Sequence, residues 1–292
     1  MNLLMSDHLP QIELWLAQYD SEKTRENYRH DVEEFIKFAK KPPQNIQKID
    51  FLFYLEVLKN NHSTASIARY FASIRSYWKF LIGIEFLEKD VSGSIKLPRI
   101  EASREAVGLT DDEVLKIYDR IESSSRPNVA VRDRAIIDLM LYNGLRRHEI
   151  CNLKIGDVVK TPSGIAIKIF GKARKTRRRP IHPVCLDSIG KYLQHSGRIQ
   201  LPVTDPLFLS TRKRPLSGSD IYLIVQRYAY GMRHIWPHLF RAKFASMALE
   251  TGVPITSVQE DLGHVSIETT AIYDKNKTAY ERSAVLKIKA LK

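Results

Sequence analysis

The sequence predicts a mainly α-helical protein with one small β-sheet, divided into two domains. Three observations lead there. Apolar residues recur at three- and four-residue intervals through most of the chain, which lines one face of an α-helix. Strict alternation, the mark of a half-buried strand, is clear in one place, where Ile165, Ile167 and Ile169 alternate with Ala166, Lys168 and Phe170. Residues 92–106 hold Gly, Ser and Pro without any sustained period and read as a connection. The expected division is a helical domain over 1–98, a linker over 99–106 and a mixed domain over 107–292. A chain of 292 residues is long enough for each to bury its own core.

The first domain reads as helices only. Residues 9–19 form a short apolar one. Over 24–40, Tyr28, Val32, Phe35, Ile36 and Ala39 make one stripe, and Lys23, Arg25, Arg29, Lys37 and Lys40 lie opposite, before Pro42-Pro43 ends the helix. Asp50 is the expected cap of a third helix holding Leu52, Leu55 and Leu58. A fourth, over 64–82, spaces Ile67, Phe71, Ile74, Trp78 and Leu81 along one face, with Arg69, Arg75 and Lys79 outside. One basic helix face is commonly just solvated. Two of them, in a chain of net charge +13, point to a polyanion, with a nucleic-acid backbone ahead of an acidic membrane surface.

The second domain opens with a capping box, Thr110 answered by Glu113, ahead of Val114, Leu115 and Ile117. A longer helix over 129–143 buries Ile136, Ile137, Met140 and Leu141. Gly144 supplies a left-handed turn, and the chain restarts with Arg146, Glu149, Ile150 and Leu153 in helical spacing. The strand over 165–170 turns at Gly171 and returns over 177–181. Its tip, Lys172 to Arg179, concentrates so much like charge that it repels itself unless an anion lies near. Helices follow over 183–193 and, capped by Ser219, over 219–230, with a short strand at 207–209 between them.

The chain is organised around 236–273. Pro237 suits a helix's first turn, and His238 and Arg241, three apart, share one face of it. Phe244, Ala245, Met247, Ala248 and Leu249 turn to a core. Gly252 and Pro254 stop that helix, a short one runs to Leu262, and Gly263 closes it before His264. Ser266 is the expected cap of a third helix carrying Tyr273. Beyond it Tyr280, Ala284, Val285, Ile288 and Leu291 form the apolar stripe of an amphipathic tail helix. Two imidazoles, a guanidinium and a phenol on three short helices suit holding a phosphate and attacking it.

The order His-x-x-Arg, Leu-Gly-His, then Tyr nine positions on resembles the second conserved box of the tyrosine recombinases, the phage-integrase family. Tyr142 to Ile150 resembles the first box, and Thr64 to Leu81 more weakly resembles the family's core-binding domain. The resemblance implies two domains closing round duplex DNA, which is cut and rejoined through a 3′-phosphotyrosyl intermediate. It makes Tyr273 the nucleophile, Arg146 and Arg241 the phosphate-binding arginines, His238 and His264 their partners, Glu149 a supporting carboxylate and Lys172 the general acid. Lys175 is the alternative to Lys172, and Tyr280 to Tyr273. Basic residues expected on the DNA backbone are Arg25, Arg29, Arg69, Arg75, Lys79, Arg174, Lys175, Arg177 and Arg178. The resemblance also implies neither metal nor ATP, a homo-tetramer on two DNA sites, and exchange of the C-terminal helix between protomers. Ala242 stands where many members have His.

The compact length resembles the Xer type, which resolves chromosome or plasmid multimers. A small mobile-element integrase, a type IB topoisomerase-like enzyme and a DNA-binding module without cutting are the alternatives. No apolar run approaches the length of a membrane span, and Asp7, His8 and Glu13 interrupt any signal peptide. Cys151 and Cys185 lack metal-ligand spacing and read as free thiols in a reducing cytoplasm, with the protein on the nucleoid. His234 and His238 stand four apart, but Pro237 breaks the helix that a zinc site there would need.

Overall fold

The computed structural model describes residues 9–99, 108–170, 176–263 and 270. The chain separates into two compact units, 1–102 and 103–292. The first contains α1 (Leu9–Leu16), α2 (Glu22–Ala39), α3 (Lys48–Asn61) and α4 (Thr64–Gly83). The side chains of Ser21 and Ser63 accept the first free N–H groups of α2 and α4. Lys40 ends α2 in a left-handed conformation at φ 51°. Asp50 does not cap α3. Gln47 does, because Asp50 sits three residues further on and accepts the Gln47 N–H at 2.8 Å, which starts the helix earlier than the apolar pattern suggests. Leu52 accordingly faces solvent, and Phe51, Tyr54, Leu55 and Leu58 face inward. Trp15, Phe35, Phe71, Tyr77 and Trp78 complete this core.

The second unit orders α5 (Asp111–Glu122), α6 (Pro127–Tyr142), α7 (Arg147–Asn152), β1 (Val158–Thr161), β2 (Gly164–Phe170), β3 (Thr176–Pro180), α8 (Pro183–His195), α9 (Gly218–Tyr228), α10 (Pro237–Glu250) and α11 (Ile255–Leu262). The Thr110–Glu113 capping box is formed in both directions. α6 begins at Pro127, two residues before its apolar stripe. It is the central helix: every residue from 135 to 141 is buried, as α5, α8 and α10 cover it.

The sheet is antiparallel in the order β1–β2–β3, with Ile167 opposite both Val158 and Arg179. β1 escaped the sequence reading because Val158 to Thr161 has no alternating face. Residues 207–209 are not a strand. They are held by isolated bridges, Lys154 with Pro206 and Leu209 with Pro215. Ser217, not Ser219, caps α9, since Asp220 at the third helical position returns a bond to the Ser217 N–H at 2.7 Å. No helix among the described residues is long and apolar enough to cross a membrane.

Candidate active site

Three turns build the site. At the first, Gly144 adopts φ +58°, and a Cβ there would stand 2.6 Å from the Phe244 ring, so both the conformation and the close approach demand glycine. The turn delivers Arg146 to the N-cap of α7 in extended backbone. Its N–H donates to Glu149 Oε2 at 2.8 Å and its Nη1 to Oε1 at 3.2 Å. Glu149 is 1% exposed. Its Oε1 also accepts Arg177 Nη2, arriving from β3 at 3.0 Å. One buried carboxylate thereby orients two guanidiniums.

At the second turn, Pro237 starts α10 and sets His238 and Arg241 one turn apart. Arg241 is 1% exposed. Its Nη1 donates to the Gly144 carbonyl and its Nη2 to that of Leu262, while its buried Nε has no partner among the described residues. Burial, reinforced by the charge of Arg146 and partly offset by Glu149, pushes its pKa down to about 9. His238, at the head of the helix, is an exposed residue. Even so, desolvation by the surrounding protein, then the charges of Arg241 and Arg146, hold its pKa below the ordinary histidine value. It is therefore neutral near pH 7 and able to accept a proton.

The third turn is Gly263, at φ +58° behind α11. A side chain there would run into Arg177 Nη1 and meet Arg146 Nη1 at 3.6 Å. Arg146 Nη2 donates to the Gly263 carbonyl at 3.0 Å. Arg179, on β3 and 7% exposed, donates Nε to Asp261 Oδ1 at 3.0 Å and Nη1 to the carbonyls of Asn143, at 3.1 Å, and Asp261. Among the described residues four guanidiniums thus face two carboxylates, Glu149 and Asp261. Arg177 Nε, like Arg241 Nε, is buried without a partner among the described residues. The site carries uncompensated positive charge and unused donors, which fits an oxyanion such as a phosphodiester.

The fold therefore brings together Arg146, Glu149, His238 and Arg241. Lys172, Arg174, Lys175, His264, Tyr273 and Tyr280 lie outside the described residues, as do Ser266 and the tail stripe. Arg177, expected on the DNA backbone, is folded onto Glu149, while Arg178 beside it is exposed. In the first unit Arg29 pairs with Glu13, and Arg69 with the buried Asp31 at 2.5 Å. Arg75 donates to the carbonyls of Ser92 and Ile95. Lys79 is exposed and Arg25 half-buried. Arg179 and Asp261 were missed by the sequence reading. The available signal was the alternation of β3, which turns 179 inward when 178 faces out. Among the described residues no group of three or more His, Cys, Asp or Glu could hold a metal ion. His234 instead meets the Tyr222 hydroxyl at 3.3 Å.

The phage integrase family matches residues 108–279, and the phage integrase N-terminal SAM-like domain matches residues 11–83. The chain is 31% identical over 269 residues to tyrosine recombinase XerC of Thermodesulfovibrio yellowstonii, covering 88% of this chain and 87% of that one. It is 30% identical over 267 residues to tyrosine recombinase XerD of Staphylococcus haemolyticus, covering 87% and 88%. A lambda integrase tetramer bound to a Holliday junction shares the fold, with a TM-score of 0.74 at 20% identity over 94% of this chain and 78% of that one. The catalytic-family match spans more than half of the chain and includes every turn of the guanidinium cluster. This chain belongs to the phage integrase family, the tyrosine recombinases, which cut and rejoin DNA.

Proposed function

We propose that this chain is an Xer-type site-specific recombinase that resolves chromosome or plasmid multimers, with Tyr273 as nucleophile. The observation that carries the reading is the pair Arg146 and Arg241, oriented by the carbonyls of Gly263, Gly144 and Leu262 while Arg146 shares the Glu149 carboxylate with Arg177, beside His238, whose pKa is held below the ordinary value. In the reaction Tyr273 Oη forms a bond to the backbone phosphorus as the bond from phosphorus to O5′ breaks. A phenol near pKa 10 must lose its proton as it attacks, and His238 accepts it. Lys172 gives a proton to the leaving O5′. Arg146 and Arg241 neutralise the non-bridging oxygens through planar, paired donors, with His264 adding a hydrogen bond. Bond energy is kept in the phosphotyrosine, so the scheme uses neither ATP nor a metal ion.

Its substrate is a double-stranded recombination site in the cytoplasm, on the nucleoid, and its working form a homo-tetramer on two sites that exchanges C-terminal helices. Exposed Arg178 and Lys79, with Arg25, Arg174 and Lys175, contact the DNA backbone. Arg29, Arg69 and Arg75 do so only by leaving their protein partners. The relatives' names, XerC and XerD, favour this reading over a mobile-element integrase. The test mixes wild type and Tyr273→Phe with nicked duplexes of candidate sites, from which the cut strand escapes, and runs denaturing gels. A covalent band from wild type alone is expected. A band persisting in the variant moves the nucleophile to Tyr280, and no band from wild type on DNA that it binds refutes strand cutting.

A further inference from the structure

We propose that Arg179 is a positioning residue for strand cutting, holding the C-terminus of α11 where Arg146 and Arg241 can meet the scissile phosphate. The inference rests on the recombinase reading and adds a residue that the reading does not use. Its basis is a row of contacts. Three consecutive carbonyls, of Asp261, Leu262 and Gly263, each accept a hydrogen bond from a different arginine: Arg179, Arg241 and Arg146. The last carbonyls of a helix lack partners within it and form its negative end. This end of α11 is satisfied by guanidiniums drawn from β3, α10 and the N-cap of α7.

Arg179 and Arg241 bridge the same two turns as parallel rungs. Arg179 joins the carbonyls of Asn143 and Asp261, and Arg241 joins those of Gly144 and Leu262. They differ at Nε. In Arg241 that donor is buried without a partner among the described residues, whereas in Arg179 it is spent on the Asp261 carboxylate. Arg241 Nε thus stays uncommitted while Arg179 Nε is tied to a neighbouring carboxylate, although Arg179 is almost as deeply buried. Arg179 therefore locks the register between the Asn143–Gly144 turn and the α11 terminus. Arg241 spans that same gap, and Arg146 hangs from the next carbonyl. A shift of about 1 Å at such a junction is enough to cost on the order of 100-fold in rate.

The test uses the full chain and nicked duplexes carrying at the scissile position either a normal phosphodiester or a methylphosphonate, which lacks one charged non-bridging oxygen. Arg179→Met is expected to slow covalent-complex formation on the phosphodiester by about tenfold or more, with duplex affinity nearly unchanged. On the methylphosphonate the gap to wild type should close to within about threefold, because the charge that the arginines neutralise is gone. Arg179→Lys should recover only part of the rate, as one ammonium cannot span two carbonyls and a carboxylate. Asp261→Asn changes a half-exposed side chain and leaves all three carbonyls in place, so it guards against misfolding. It should slow cutting in the same substrate-dependent way, but less. Equal slowing on both substrates, or unchanged cutting by Arg179→Met or by Asp261→Asn, overturns the inference. A wild type that cuts neither duplex overturns the recombinase reading and the inference with it, and is told apart because in the other failures wild type still cuts.

Discussion

Replacing Glu149 with Gln removes one negative charge from beneath two arginines while keeping the shape of the side chain. The carboxylate accepts the Arg146 N–H, Arg146 Nη1 and Arg177 Nη2. An amide must turn its NH2 group toward at least one of those donors. Breaking a fully buried pair by deleting one partner costs about 3–5 kcal/mol. Here the Arg146 and Arg177 side chains keep 32% and 24% of their exposure, so solvent screening reduces the loss to about 2 kcal/mol. For a unit of this size that lowers the melting temperature by ~4–8 °C. Calorimetry on the full chain measures it, with Asp187→Asn as control, since its pair with Lys191 is exposed on both sides and is worth within about 0.5 kcal/mol. Inorganic sulfate should restore more stability to Glu149→Gln than chloride at equal ionic strength, because an oxyanion can stand in for the lost carboxylate. A variant that melts with the control, or that sulfate and chloride affect alike, refutes a charge-loaded site organised by Glu149.

Gly144→Ala must place a Cβ in left-handed backbone and 2.6 Å from Phe244. The conformation and the overlap together should cost about 2–4 kcal/mol, read as a lower denaturant midpoint; an unchanged midpoint would mean that the turn relaxes freely. Cleavage should depend on a neutral His238, whose pKa is held below the ordinary histidine value. The rate should therefore stay flat as pH falls through about 6.5 and decline only below it, and His238→Gln should lose that acid limb. A midpoint at or above the ordinary value would contradict the desolvated, cation-flanked environment. Asp220 is held well below the usual carboxylate range, first by Arg214 and then by Ser217. Its contribution is present above its unfolded pKa and is lost as pH falls through that range toward the lower folded value. Asp220→Asn should thus cost about 1 kcal/mol of stability near neutral pH and little in strong acid, where wild type is protonated too. Urea unfolding at the two pH values checks this.

The sequence was legible wherever local chemistry decides the outcome. Thr110–Glu113, Gly144 and Gly263 announce their turns because a capping box or a left-handed conformation is a property of a few adjacent residues. It misled where a reciprocal partner further along outvoted the nearer cap, as Asp220 does in choosing Ser217 and Asp50 in choosing Gln47. β1 was invisible because its strand character comes from pairing with β2 rather than from its own pattern. At the site, Arg146, Glu149, His238 and Arg241 were readable as a motif. Arg177 and Arg179 were readable as charge in a basic hairpin, with strand alternation the one sign that they turn inward. That 177 would be drawn onto Glu149 and 179 onto Asp261 depends on contacts 28 and 82 residues apart in sequence, which no local pattern encodes.

That difference bears on how the site holds its charge. A cluster of four guanidiniums is self-repulsive, and burial worsens the repulsion. Two carboxylates relieve part of it. The rest is met by backbone carbonyls, of Asn143 and Gly144 after α6 and of Asp261, Leu262 and Gly263 at the end of α11. A carbonyl orients a guanidinium without neutralising it, so the arginines are fixed in place and still charged. More carboxylates would have produced a more stable but neutral cluster, with less to offer a phosphate. Oriented by dipoles and short of counter-charge, the arginines need no rearrangement when an anion arrives, which is the condition under which electrostatic stabilisation of a transition state is largest.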